Sequence, residues 1–186
     1  MKQFTILVDI DDTLIWTVRT LVTVLNYKHN LDVKYEDVKE WDLTKAFPTL
    51  TKEQIFEPMF HTGFWDCVIP RDDAIQYLPK LIEDGHKIYI CSASHYGNIR
   101  EKIDDCLFIH FPYLSNRQLM IVHNKQMINA DILIDDGVHN LTNAPYFGIL
   151  MTTPYNNHID EKTLGDNILR VSNWHEVYTF IKEKAE

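Results

Sequence analysis

The sequence predicts an α/β protein built on a parallel β-sheet, and three observations lead to this fold class. Five short apolar runs alternate along the chain with segments whose apolar residues recur at helical spacing. Two of these runs end abruptly in clustered carboxylates, at residues 9–12 and at residues 135–136. No internal repeat or low-complexity linker interrupts the alternation. Strands that alternate with helices pair in parallel through right-handed crossovers, so a single three-layer domain with a small insert is expected.

The first predicted strand is Phe4–Val8, a continuous apolar run typical of a buried parallel strand. Apolar residues then recur at helical spacing as far as about Lys28. The following region is rich in aromatic residues, with Thr51 and Gln54 forming a capping-box pattern before a short helix. Because this region lacks a strand–helix–strand pattern, we predict a helical cap insert at residues 16–70. The core domain would then comprise residues 1–15 and 71–186.

Regular alternation resumes after the insert. A helix begins near Ala74 and ends at Gly85, and a strand over Lys87–Cys91 stops at Ser92. The remaining predicted elements are, in order, a helix over residues 98–106, strands over 118–122, 130–134 and 147–151, and an amphipathic helix over 174–184.

Composition limits the functional classes. The chain has 186 residues, 45% of them hydrophobic, and a net charge of −9. That charge argues against a nucleic-acid-binding surface, which needs an excess of Lys and Arg, but a local cation can still hold a small anionic substrate. Cys67, Cys91 and Cys106 are widely spaced, which is typical of reduced thiols in a cytoplasmic protein. We expect no signal peptide, no membrane span and no membrane partner.

Four predicted strand ends carry side chains suited to phosphoryl transfer. Because the carboxyl ends of parallel strands share one edge of the sheet, these side chains are expected to meet. A carboxylate can attack phosphorus, and a hydroxyl and an ammonium can stabilise the phosphoryl charge. Clustered carboxylates also predict a hard cation such as Mg2+, whereas neither a zinc motif nor a glycine-rich phosphate loop is present. The side chains are Asp9 and Asp11, Ser92, Lys125, and Asp135 and Asp136.

Taken singly, each of these residues has an ordinary structural explanation. The first acidic cluster is compatible with a solvated turn or a helix start, Ser92 with an N-cap, and Lys125 with a surface lysine. Only their order at successive strand ends favours a catalytic site. Arg19 and Arg71, like Lys45, are interpreted as surface charges.

In this order, the motifs resemble those of the haloacid dehalogenase-like (HAD) hydrolases. Residues 8–14 resemble the first motif of that superfamily, Ser92 the second, and Lys125 with residues 134–136 the third and fourth. Asn124-Lys125 shortly before the run at residues 130–136 is similar to the 5′(3′)-deoxyribonucleotidase family. The chain departs from that pattern at Asp12 in place of Gly, Thr17 in place of an aromatic residue and Ala93 in place of a second hydroxyl.

The resemblance implies a HAD-type, Rossmann-like three-layer fold and a Mg2+-dependent nucleotide phosphatase. By this likeness Asp9 attacks phosphorus to form an aspartyl-phosphate, and Asp11 is the general acid and base. Ser92 and Lys125 bind the phosphate. Mg2+ is held by Asp9, the Asp11 backbone carbonyl and Asp136, with Asp135 as the alternative ligand.

The expected substrate is a nucleoside monophosphate enclosed by the insert. Its base would stack on an aromatic side chain, for which Trp41 and Trp65 are the candidates. The alternatives are a phosphatase of another small metabolite such as a sugar phosphate, a nucleic-acid 3′-phosphatase, and a non-catalytic binding protein. The net charge of −9 disfavours the nucleic-acid phosphatase, and the complete set of catalytic residues disfavours the binding protein.

Overall fold

The computed structural model describes residues 2–186 and contains one parallel six-stranded sheet. The strands are β1 (Thr5–Val8), β2 (Lys87–Ser92), β3 (Leu119–Ile121), β4 (Ile132–Asp135), β5 (Phe147–Met151) and β6 (Ile168–Val171). Their order across the sheet is β3-β2-β1-β4-β5-β6, with every neighbouring pair parallel. The predicted fold class is therefore confirmed. The sequence pattern had indicated five of these strands and missed β6.

Helices occupy the connections between the strands. They are α1 (Thr17–His29), α2 (Lys52–Phe56), α3 (Ala74–Glu83), α4 (Ile99–Glu101), α5 (Phe108–His110), α6 (Val138–Leu141) and α7 (Trp174–Ala185). Single 3-10 turns lie at Tyr35–Asp37, Leu43–Lys45, Glu57–Phe60, Trp65–Cys67, Asn116–Gln118, Lys125–Met127 and Glu161–Thr163. In the described part of the chain, no helix is both long and apolar enough to cross a bilayer.

The central position of β1 follows from its composition. Ile6, Leu7 and Val8 are fully buried, as expected of a strand covered on both faces. Val8 pairs with Ile90 of β2 on one side and with Ile134 of β4 on the other. The strand order reverses direction at β1, and ligands of open α/β sheets bind at such a switch point, beyond the carboxyl ends of the strands.

The segment predicted as an insert enters and leaves the sheet region at adjacent points. The Trp16 backbone N–H donates to the Ile69 carbonyl at 2.8 Å, and the Arg71 N–H donates to the Leu14 carbonyl at 2.8 Å. Between these points the regular elements are helices and 3-10 turns joined by loops, and no strand of the sheet lies there. The capping box predicted at Thr51 is present. The division into a core and a cap at these positions stays a prediction.

The helix predicted over residues 98–106 has an unexpected form. After the short α4, the chain widens into a π-helical segment, Lys102–Leu107, before α5. Lys102 is the first residue of this segment, and its exposed fraction is only 2%. The widened turn thus places a buried ammonium group close to the carboxyl end of β2.

Candidate active site

The predicted nucleophile lies at the end of the central strand. Asp9 follows β1 directly, and its backbone N–H donates to the Ile134 carbonyl at 2.9 Å. The buried Lys125 ammonium donates to Oδ1 of Asp9 and, at 2.6 Å, to Oδ2 of Asp135. Two strand ends and the turn after β3 therefore meet at one lysine. Asp9 and Asp135 are separated from Lys125 by 116 and 10 positions, respectively.

The two acids after β4 have different partners. Oδ1 of Asp135 accepts from the Gly137 N–H at 2.7 Å and from the Asn140 side-chain amide at 3.1 Å, and its Oδ2 is held by Lys125. Asp136 accepts from the Tyr155 hydroxyl through Oδ2. Among residues 2–186, no hydrogen-bond donor contacts Oδ1 of Asp136. Asp135 is thus engaged with protein groups through both oxygens, while Asp136 keeps one oxygen for another partner.

Three carboxylates at this edge can share a cation. One oxygen each from Asp9, Asp135 and Asp136 lies within 4.8 Å of the others, and all three residues are buried. Lys125 is the only ammonium contacting this set in the described chain, so when all three carboxylates are ionised the group carries two more negative than positive charges (three minus one). Excess buried charge needs compensation, and an all-oxygen donor set is the kind that Mg2+ prefers. The residues therefore fit a magnesium site.

Burial shifts the protonation of these groups. It raises the pKa of Asp9 to about 7, although the Lys125 ammonium opposes the shift. Burial, followed by the charge of Asp135, raises the pKa of Asp136 well above its usual range. Burial alone would lower the pKa of Lys125, but the carboxylates of Asp9 and Asp135 outweigh it and raise that pKa. The lysine is therefore cationic, and the carboxylates are short of positive charge.

Asp11 points away from this cluster. Its Oδ1 accepts from the Thr17 hydroxyl at 2.6 Å, and its Oδ2 accepts from the Lys102 ammonium. The side chain is 35% exposed, so it can reach a ligand in the neighbouring cavity. The two acids of the first motif therefore contact two different lysines: Asp9 contacts Lys125 and Asp11 contacts Lys102.

Ser92 ends β2 and lies in a pair of hydroxyl groups. Its Oγ is 2.7 Å from Oγ of Ser94, which in turn accepts from the Lys102 ammonium at 2.6 Å. Ser94 thus supplies the second hydroxyl that Ala93 lacks. Sequence reasoning missed both Ser94 and Lys102. A Ser two residues beyond Ser92 is a readable signal, but nothing in the pattern distinguishes Lys102 from any other lysine of a helix.

The backbone conformation of Asp12 explains why the resembling motif usually has Gly at this position. Its φ is +49°, in the left-handed region that favours glycine, and its Oδ2 accepts from the Val18 N–H at 2.9 Å at the start of α1. The Arg71 guanidinium donates to the Asp12 carbonyl at 2.8 Å and to the Ser172 carbonyl at 3.2 Å. Arg71 is 4% exposed, so its interpretation as a surface charge is wrong.

A largely apolar cavity of about 170 Å3 opens beside the acids. Trp41 forms part of its wall, is 60% exposed, and packs edge-to-face on Tyr155 at 5.4 Å between ring centroids. The polar residues of the wall include Asp11 and Asp136. The lining is completed by Asp12, Thr17, Val18, Leu21, Leu43, Phe56 and Met59.

Trp65 occupies a different environment from Trp41. It is 1% exposed, its indole N–H donates to the Met59 carbonyl at 3.1 Å, and the Lys102 ammonium lies 4.9 Å from its ring centroid. Since its ring is enclosed by protein, it offers no free face to a base. The structure brings Trp41 to the cavity and places Trp65 in the core.

Comparisons with known proteins identify the family of the chain. A family model described as "5′ nucleotidase, deoxy (Pyrimidine), cytosolic type C protein" matches residues 3–186. The chain is 25% identical over 174 residues to a 5′(3′)-deoxyribonucleotidase of Bacillus subtilis, covering 92% of this chain and 95% of that protein. It is 28% identical over 156 residues to a 5′(3′)-deoxyribonucleotidase of Clostridium acetobutylicum, covering 84% and 86% of the two chains. The resemblance inferred from the motifs is thereby confirmed.

Solved structures support the fold. A haloacid dehalogenase-like hydrolase from Streptococcus pneumoniae superposes with a TM-score of 0.67 at 14% identity, covering 96% of this chain and 98% of that one. A HAD hydrolase from Bacillus subtilis bound to magnesium superposes with a TM-score of 0.60 at 13% identity, covering 97% and 99%. At these identities the likeness shows a shared HAD-type architecture.

Proposed function

This chain belongs to the family of 5′ nucleotidase, deoxy (pyrimidine), cytosolic type C proteins, and from that premise we propose that it is a Mg2+-dependent phosphatase of deoxyribonucleoside monophosphates. It is a phosphoric monoester hydrolase of the 5′-nucleotidase type. The proposal concerns the substrate, the metal and the route through an aspartyl-phosphate. The observation that carries it is the convergence of Asp9, Lys125 and Asp135 at the carboxyl edge of the sheet, beside Asp11.

Asp9 is the nucleophile in this mechanism. Lys125 holds its Oδ1, so Oδ2 is the oxygen that attacks phosphorus. A bond forms between Oδ2 and phosphorus while the bond to the ester oxygen breaks. The Lys125 ammonium and the Ser92 hydroxyl stabilise the negative charge on the phosphoryl oxygens. Lys125 is positioned for this role because Asp135 also accepts a hydrogen bond from its ammonium.

Asp11 moves the proton. It donates a proton to the departing ester oxygen, so the nucleoside leaves as a neutral alcohol. Asp11 then accepts a proton from the water that attacks the aspartyl-phosphate, and this step releases inorganic phosphate and restores Asp9. Its separation from the carboxylate cluster and its partial exposure support this division of labour.

Asp9, Asp136 and the Asp11 backbone carbonyl would hold Mg2+, which when bound neutralises charge on the phosphoryl oxygens. The unpaired Oδ1 of Asp136 supports this assignment. Asp135 is instead the residue that orients Lys125, because Gly137, Asn140 and Lys125 already occupy its oxygens.

The cavity beside Asp11 is the proposed nucleoside site, covered by a cap formed by residues 16–70. Its apolar wall and the partly exposed Trp41 suit a base, which gains from stacking on an aromatic ring. The two ends of the cap segment are joined by the hydrogen bond from the Trp16 N–H to the Ile69 carbonyl, and Arg71, which follows the segment, donates to the Asp12 carbonyl. The cap therefore begins and ends beside the loop that follows the nucleophile.

Phosphate release from a panel of esters tests the proposal. The panel contains nucleoside 5′- and 3′-monophosphates in ribo and deoxy forms together with sugar phosphates, each assayed with Mg2+ and with excess chelator. We expect Mg2+-dependent release from deoxyribonucleotides and none from the Asp9→Asn variant. Preference for sugar phosphates over every nucleotide would refute the substrate assignment, and full activity in chelator would refute the metal dependence.

A further inference from the structure

Lys102 is a buried lysine that the proposed mechanism does not use. It is 2% exposed, and its ammonium donates to Oδ2 of Asp11 and, at 2.6 Å, to Oγ of Ser94. Its third contact is with the ring of Trp65, whose centroid lies 4.9 Å away. Lys102 and Asp11 are 91 positions apart, so only the folded chain joins them. A second lysine therefore lies at the site, bonded to a different acid from those that Lys125 contacts.

The hydrogen bonds from Lys102 have a fixed direction. An ammonium can only donate, so Oγ of Ser94 must accept from Lys102 and has its own proton free for another acceptor. Oγ of Ser92 is 2.7 Å away, and either hydroxyl of this pair can be the donor. When Ser94 donates, Ser92 keeps its own proton for a phosphate oxygen. Lys102 is thus linked to the phosphate-binding position through two hydroxyl groups.

The contact with Asp11 has a parallel consequence. Lys102 holds Oδ2 with a charge-assisted bond, while Oδ1 is held only by the neutral hydroxyl of Thr17. A substrate oxygen can replace a hydroxyl more readily than an ammonium. Oδ1 is therefore the oxygen free to exchange a proton with the ester, and Lys102 keeps the carboxylate in the rotamer that presents it.

We propose that Lys102 is a positioning residue for the hydrolysis reaction, fixing the acid Asp11 directly and the phosphate-binding hydroxyl of Ser92 through Ser94. The proposal rests on the proposed function, because it assigns Asp11 and Ser92 their roles in that reaction. A purely structural ion pair would also explain the burial of Lys102, so the test must separate orientation of the acid from stability.

The dependence of the hydrolysis rate on the leaving group separates orientation of the acid from stability. The variants are Lys102→Met, which keeps the length of the side chain, and Ser94→Ala, which removes the hydroxyl between Lys102 and Ser92 but leaves the Lys102–Asp11 contact in place. Arg100→Met is the matched control, since Arg100 lies two positions earlier and its side chain is 87% exposed. kcat/KM would be measured for aryl phosphates of graded leaving-group pKa and for one alkyl phosphate, and inorganic phosphate would be titrated as an inhibitor. Circular dichroism establishes that each variant is folded.

We expect the loss in Lys102→Met to grow with leaving-group pKa. It should be a few-fold for p-nitrophenyl phosphate, which needs no proton, and roughly 10²-fold or more for an alkyl phosphate. Ser94→Ala should weaken inhibition by inorganic phosphate by about tenfold while leaving the leaving-group dependence unchanged, because it alters a hydrogen bond to a charged ligand. Arg100→Met should behave like the wild type.

The contrary results are distinct. Equal losses in folded Lys102→Met for all leaving groups, or unchanged phosphate inhibition in Ser94→Ala, would overturn the positioning role. If the wild type released phosphate from no ester, the proposed function itself would fail. Activity toward aryl phosphates without activity toward nucleotides would refute the substrate assignment and leave the Lys102 comparison fully measurable.

Discussion

The proposed magnesium site predicts a strong linkage between metal affinity and pH. The cation must displace protons from Asp9 and Asp136, whose pKa values are raised by burial, to about 7 for Asp9. An unfolded Asp has a pKa near 3.9, so between about pH 4 and pH 7 the metal-free folded protein holds a proton that the unfolded chain has lost. The metal-free protein should therefore lose stability as the pH rises through this window. Added Mg2+ should restore it.

The magnitude follows from the number of protons displaced. Below about pH 7, each displaced proton lowers the Mg2+ affinity tenfold per pH unit. A Mg2+ concentration of 100 times Kd stabilises the folded state by about 2.7 kcal/mol. At the same Mg2+ concentration one pH unit lower, this stabilisation falls to about 1.4 kcal/mol if one proton is displaced and to about 0.4 kcal/mol if two protons are displaced. The logarithm of the affinity should thus rise with pH with a slope between one and two.

Calorimetric titration of Mg2+ and thermal unfolding, both at pH values from 5 to 8, measure this linkage without any substrate. Asp136→Asn provides the matched control, because it removes one titrating ligand and should lower the slope by about one along with the affinity. A Mg2+-induced rise in Tm that is the same at pH 5 and pH 8 would refute the reasoning. So would an Asp136→Asn variant that binds Mg2+ as the wild type does.

Three further predictions concern single side chains. Asp9→Asn should abolish turnover, and near-wild-type rates in this variant would exclude the covalent route. Asp11→Asn should lower the rate of nucleotide hydrolysis roughly 10²–10⁴-fold and the rate of p-nitrophenyl phosphate hydrolysis much less. Trp41→Ala should raise KM for a nucleotide about tenfold with little effect on hydrolysis of p-nitrophenyl phosphate, and equal kinetic losses on both substrates would contradict base stacking. Trp65→Ala should instead lower the free energy of unfolding by about 3–5 kcal/mol, because it removes a core side chain. Arg71→Met leaves two backbone carbonyls without their donor and should lower the free energy of unfolding by about 2–4 kcal/mol in urea titrations; an unchanged urea midpoint would show that these contacts contribute nothing.

The sequence by itself determined the sheet and the edge at which the site lies. A parallel strand buried on both faces is a continuous apolar run, so β1, β2, β4 and β5 were readable from composition alone. Their carboxyl ends share one edge by topology. Asp9, Asp135 and Lys125 could therefore be brought together in advance of any coordinates. The strand β6 escaped this reasoning because it is a partly exposed edge strand whose apolar run is interrupted by Arg170.

Only the tertiary structure decided which groups face each other across the site. Hydrophobic periodicity indicates which side of an element is buried but not which distant element covers it. Trp41 and Trp65 are equivalent in sequence terms, yet the packing leaves one beside the cavity and encloses the other. Arg71 is also buried by the tertiary packing, and its guanidinium donates to backbone carbonyls of two distant loops.

Lys102 shows the same limit at the centre of the chemistry. A lysine in a helical segment is most often solvated, and no local signal marks one that will be buried. Its partners Asp11 and Ser94 come from the ends of β1 and β2, and Lys102 is the first residue of the π-helical segment that packs beside them. Spacing along the chain therefore determined the kinds of groups at the site, and the three-dimensional packing determined which of them pair. Charged groups separated by about 90 residues form an ion pair only when both of their elements are packed on the same sheet.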